Sequence, residues 1–122
     1  MKIIGRDYLN INDITPGSAL HTLDPDKNKY NAIIREGISV VSLDNFCDQL
    51  KIFPNLIKID IDGNEDKLLN GAKELLKNKY LRSLMIELDD KKNRDICIKK
   101  IEKNGFKLIN FFEQNSSYIF SR

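Results

Sequence analysis

The chain has 122 residues, 20 of them basic and 18 acidic, for a formal net charge of +2, a balance too even to argue for a nucleic-acid or anionic-membrane partner. At 41% hydrophobic and 31% charged the composition is globular rather than disordered, and the length allows one domain at most, short of a complete doubly wound enzyme. Cys47, Cys97 and the single histidine, His21, are too far apart for any zinc-ligand spacing. Two reduced, partly buried thiols and no metal site are therefore expected. No stretch approaches the roughly 18 apolar residues of a membrane span. The opening MKIIGRDYLN meets Arg6 and Asp7 before an apolar signal core could form. A cytoplasmic protein without a membrane partner is expected.

In chain order, residues 1–37 read as an irregular segment. Asn10, Asn12, Asp13, Pro16, Gly17, Asp24, Pro25, Asp26 and Asn28 all favour turns, and only Ile3–Ile4 and Ile33–Ile34 suggest short extended pieces. From residue 38 to 122 the pattern sharpens. Ile38–Val41 is a β-branched run and reads as a strand. Ser42 or Asp44 is placed to cap a helix with Leu43, Phe46, Cys47 and Leu50 on one face, stopped by Pro54. Leu56–Ile61 reads as a second strand. A helix from about Glu65 to Lys77 follows, with Leu68, Leu69, Ala72, Leu75 and Leu76 at helical spacing. Ser83–Leu88 is a buried-type strand. Lys92–Lys103 is a helix with Ile98 and Ile101 inward, ending at Asn104–Gly105. Two last strands, Phe106–Phe112 and Ser117–Phe120, flank a turn short enough for an antiparallel hairpin. Such alternation predicts an α/β fold with a mostly parallel sheet and a terminal antiparallel hairpin.

Ligands of open parallel sheets bind at the carboxyl ends of the strands, and two strand ends here carry acids. Asp60 interrupts an apolar β-run where partial burial would make a carboxylate costly without a partner; Glu87 repeats the pattern one strand along. Asp62, Gly63, Asn64 and Glu65 are also what a strand-to-helix turn uses to cap the coming helix. The acids are thus open to a structural as well as a functional reading.

The run IKIDIDGNEDKLLNGAKELL, followed by LRSLMIELDD, resembles the second half of the FkbM family of S-adenosylmethionine-dependent methyltransferases. The match is carried by Lys58, Ile59, Asp60, Asp62, Gly63, Glu65, Leu69, Gly71, Ala72 and Glu87, with Ser42–Leu43–Asp44 upstream and a looser likeness at Pro16–His21, and it covers roughly residues 15–120. The resemblance implies the C-terminal half of a Rossmann-like class I methyltransferase fold and methyl transfer, most simply to oxygen, on a small-molecule or sugar-like (glycan) acceptor. It implies Asp60 and Glu87 as catalytic residues, Asp62, Glu65 and His21 as substrate-binding residues, and S-adenosylmethionine as cofactor. The glycine-rich strand-loop-helix that grips this cofactor in the family has no counterpart upstream, where Gly5 and Gly17 stand alone. A truncated, inactive chain is one expectation. The alternative is a non-catalytic half-domain that completes a sheet with another chain at its exposed first strand. The lysines near Tyr80 and the Lys91, Lys92, Arg94 cluster read as solvated helix ends.

Overall fold

The computed structural model describes residues 5–16, 21, 23, 32–61 and 63–122. The chain divides into two compact units, Met1–Val41 and Ser42–Arg122, and the whole is α/β.

In the first unit, Gly5–Ile11 (β1) and Ile34–Val40 (β2) pair antiparallel from Gly5 opposite Val40 to Ile11 opposite Ile34. This corrects two expectations. The segment before residue 38 is not irregular throughout, and the run at Ile38–Val41 does not open the main sheet. Turn-favouring Asn and Asp types obscured β1, yet cross-strand contacts hold them in a ladder. Tyr8 stands opposite Gly37, and the Arg35 guanidinium lies 4.6 Å above its ring.

The second unit begins with the helix Leu43–Leu50 (α1), whose N-cap Ser42 accepts from the Asn45 N–H at 3.3 Å. Cys47 is buried, but Phe46 and Leu50 are exposed, so the apolar face is narrower than its sequence spacing implies. There follow Leu56–Ile59 (β3), the helices Glu65–Asn70 (α2) and Lys73–Lys77 (α3), Ser83–Glu87 (β4), Lys91–Lys103 (α4), Lys107–Phe112 (β5) and, after a 3-10 turn at Glu113–Asn115, Ser117–Ser121 (β6).

The single helix expected over 65–77 is therefore two. The break falls at Gly71–Ala72, where the start of α1 intrudes. A Cβ on Gly71 would meet the Ser42 Cβ at 3.1 Å, the Asp44 N–H donates to the Gly71 carbonyl at 2.9 Å, and the Asp44 carboxylate accepts from the N–H groups of Glu74 and Leu75 at 3.0 and 2.9 Å. Asp44 thus caps α3, not its own helix, and accepts from two of the N–H donors that a helix start leaves orphaned.

The sheet order is β3-β4-β6-β5, with β3 and β4 parallel and the other two pairs antiparallel. It is mixed: β3, β4 and β5 run in one direction, as expected, and β6 runs against them, but because β6 inserts between β4 and β5 only the β3–β4 pairing is parallel. The terminal antiparallel hairpin is as expected, with a bulge between Leu108 and Asn110. Ile59, Leu84, Ile86, Tyr118 and Phe120 turn to one face and join Leu69, Leu75, Leu76, Cys97 and Ile101 from the helices in a single core, each large apolar side chain contributing about 1.5–3 kcal/mol. Arg122 ties the ends of α3 and α4 together. Its guanidinium donates to the carbonyls of Leu81, Leu76, Asn104 and Asn78 and lies 4.2 Å above the Phe106 ring.

Candidate site at the carboxyl ends of β3 and β4

Alternation along β3 and β4 fixes which side chains leave the core. Ile59 and Ile86 are opposite one another and buried, so the residues on either side of them emerge on the helix-free face. Lys58 stands opposite Met85, and Met85 opposite Ile119 on β6. One step beyond the Ile59–Ile86 pair come Asp60 and Glu87, which end adjacent parallel strands at the same level.

The Lys58 Nζ reaches Asp60 Oδ2 at 2.7 Å, and this pair is exposed to solvent. Asp60 raises the Lys58 ammonium above its ordinary pKa, with a smaller contribution from the negative charge of Glu87. The lysine therefore sits in the field of both acids. Asp60 itself lies just past the end of β3 and is half-exposed, which corrects the expectation of a partly buried carboxylate within a strand; the strand stops at Ile59, and the ion pair does the work that burial was expected to demand. An exposed pair of this kind adds little stability. What it supplies is orientation.

Glu65 is the residue whose burial stands out. It is 5% exposed, accepts the Gly63 N–H through Oε1 at 3.0 Å and the Asn93 side-chain amide through Oε2 at 2.5 Å, and so pins the start of α2 to α4. The Cys97 thiol donates to Asn93 Oδ1 at 3.5 Å, and burial, with the nearby negative charges of Glu65 and Asp66, pushes that thiol up to about 11. Such a thiol stays protonated and unreactive at neutral pH. With both oxygens engaged in the interior, Glu65 holds the fold; the geometry gives it no open face toward a substrate. His21 belongs to the first unit, where its Nδ1 accepts the Asn12 N–H at 3.5 Å. Asp62 lies outside the described residues.

Three participants escaped the sequence reading of the site. Lys58 was noted only as part of a pattern, although its i, i+2 spacing from Asp60 on a strand already places both on one face. Asn93 and Cys97 carry an i, i+4 helical spacing that brings them together beneath Glu65, but nothing in the sequence links that pair to a glutamate 28 residues away.

The starts of the helices decide what else the unit can hold. The N–H of Asn45 goes to Ser42, those of Glu74 and Leu75 to Asp44, that of Asn93 to Asp90, and that of Gly63 to Glu65. These donors are closed by the chain's own oxygens, and so do not form the backbone cradle that the amino-acid end of S-adenosylmethionine requires. The described residues do not fit that cofactor by themselves. Among them no three His, Cys, Asp or Glu side chains converge to hold a metal ion, and no helix is long and apolar enough to cross a membrane. No family model matches the chain, and neither a curated protein nor a solved structure was found to match it.

Proposed function

We propose that the second unit is the acceptor-side half of an S-adenosylmethionine-dependent methyltransferase domain of the FkbM type, acting on a hydroxyl of a small-molecule or sugar-like acceptor. The observation that carries this reading is the placement of Asp60 and Glu87 at one level at neighbouring parallel strand ends, with Lys58 paired to Asp60, the position where open α/β sheets gather their ligands. The parallel pair followed by an antiparallel hairpin accords with the C-terminal half of a Rossmann-like fold.

In this reading Lys58 holds Asp60 Oδ2 and fixes the carboxylate plane. Oδ1 is then the oxygen that accepts the acceptor's hydroxyl proton, a task suited to a pre-positioned base. Glu87 keeps the local field negative and orients a second hydroxyl. The methyl donor is S-adenosylmethionine, and its grip comes from a glycine-rich half that the described residues do not supply.

Two measurements test this. Titrated calorimetrically, the chain alone should give no saturable binding of S-adenosylmethionine, and low-micromolar affinity would overturn the assignment of roles. Joined to a glycine-rich strand-loop-helix half, the chain should catalyse methyl transfer, and Asp60→Asn should slow the single-turnover rate by about 10²–10⁴-fold. Unaltered chemistry in Asp60→Asn would make Asp60 a structural acid. A second reading, a non-catalytic half-domain that completes a sheet in a partner chain, draws on β3 being an outer strand. It is favoured if the joined protein folds and binds cofactor but transfers nothing.

A further inference from the structure

Between α2, α3 and α4 runs an open groove of about 780 Å³. Its apolar floor includes Leu69 and Leu76. Its rim carries Lys73 and Lys77 from α3 and Lys100 and Lys103 from α4. Among the described residues no acidic side chain lines it. The groove takes in the last turn of α4, whose first turn follows Glu87, so it is separated from the Asp60–Glu87 end by the length of that helix, roughly 20 Å for its 13 residues.

The fold's own needs do not account for these lysines. Lys73 and Lys77 are four apart on one helix and Lys100 and Lys103 three apart on another, spacings at which like charges repel. All four converge on the same space. Lys103 at the end of α4 is favoured by the helix dipole, but Lys73 opens α3, where the dipole disfavours a cation. Among the described residues, only Lys77 of the four has a carboxylate at ion-pair distance, Glu74 at 2.9 Å. Lys100 is held in place by neutral partners, Asn70 Oδ1 at 2.8 Å and the Asp66 carbonyl at 3.4 Å, which position its ammonium without neutralising it.

We propose that this groove binds a small phosphorylated ligand, with Lys73, Lys100 and Lys103 on a diphosphate-like group and the ligand's apolar part on Leu69 and Leu76. A multiply charged anion would convert the repulsion within each lysine pair into shared attraction. The amphipathic lining suits a ligand carrying both features, as small-molecule sites do.

The test is titration of the full chain with inorganic pyrophosphate, followed by amide shifts in ¹H–¹⁵N spectra. Saturable shifts are expected at Lys73, Lys100, Lys103 and Gly105, and Lys73→Gln/Lys103→Gln should weaken binding at least tenfold. Lys91→Gln/Lys92→Gln, at the other end of α4, should leave it unchanged. If the double variant does not fold, Lys103→Gln alone should still lower affinity. Shifts that rise linearly without saturation, or equal losses in both lysine pairs, would overturn the proposal. So would tighter binding of a single-stranded oligonucleotide than of pyrophosphate, which would make the surface a nucleic-acid contact.

Discussion

β1 and β2 pair over seven residues, whereas β3 meets β4 over only four, yet the shorter pairing is the one with a core behind it. Every buried apolar side chain among the described residues lies in Ser42–Arg122, while the first unit buries only the polar Asn10. A two-stranded ribbon has hydrogen bonds but nothing to bury its faces against, and on its own it is marginal in water. The four-stranded sheet, with helices packed on it, buries Ile59, Leu84, Ile86, Tyr118 and Phe120. Stability in this chain follows helical cover, not ladder length.

The sharpest way to break that comparison is to remove equal chemistry from each unit. Phe120→Ala, at a fully buried position, should cost about 3–5 kcal/mol in urea unfolding, whereas Tyr8→Ala in the exposed ribbon should cost less than about 1 kcal/mol. Comparable losses would mean that the ribbon is docked on a core of its own. Next in size is Asp44→Ala, which uncaps α3 and should cost about 1–2 kcal/mol; an unchanged urea midpoint would show that the break at Gly71 does not depend on that carboxylate.

A pH series sharpens the same contrast. Burial holds the Cys97 thiol up at about 11 in the fold, against 9.0 for a free thiol, so between these values the folded state keeps a proton that the unfolded chain loses. Its contribution to stability is complete below pH 9 and is lost as pH rises through about 11. Cys47 is shifted in the same direction by burial. Urea midpoints should therefore fall over this range for the second unit, and Cys97→Ala should flatten the fall. Smallest of all is Lys58→Met, which removes an exposed ion pair and should leave the urea midpoint essentially unchanged. A clear loss would recast the Lys58–Asp60 pair as structural.

Much of the second unit was legible because its signals are local. The cap at Ser42, the presence of β3 and β4, the length of α4 and the hairpin turn all follow from residues within a few positions of one another. What could not be read depends on distant approach. Gly71 looks like one more residue of a helix until Ser42 arrives against it, and only then do the Ser42–Asp44 segment and the Leu69–Ala72 segment prove to be two sides of one contact. β6 likewise carries no mark that it inserts between β4 and β5. The candidate site was half legible. Asp60 and Glu87 stood out as acids in apolar runs, but the rule that an acid in a strand must be buried misjudged Asp60. It treated LIKIDI as uniform when the strand ends one residue earlier.

The order β3-β4-β6-β5 has a consequence for synthesis. A ribosome makes β5 before β6, the strand that pairs with it, and the gap between β4 and β5 stays open until β6 has emerged. Before then a nascent chain can assemble the β3–β4 pair under its helices, while Leu108, Ile109, Phe111 and Phe112 wait without a neighbour. Closing the sheet joins β4 to a strand about thirty residues downstream, and that loop must be closed before the new pairing returns any free energy. Completion of the second unit is thus timed by the emergence of β6.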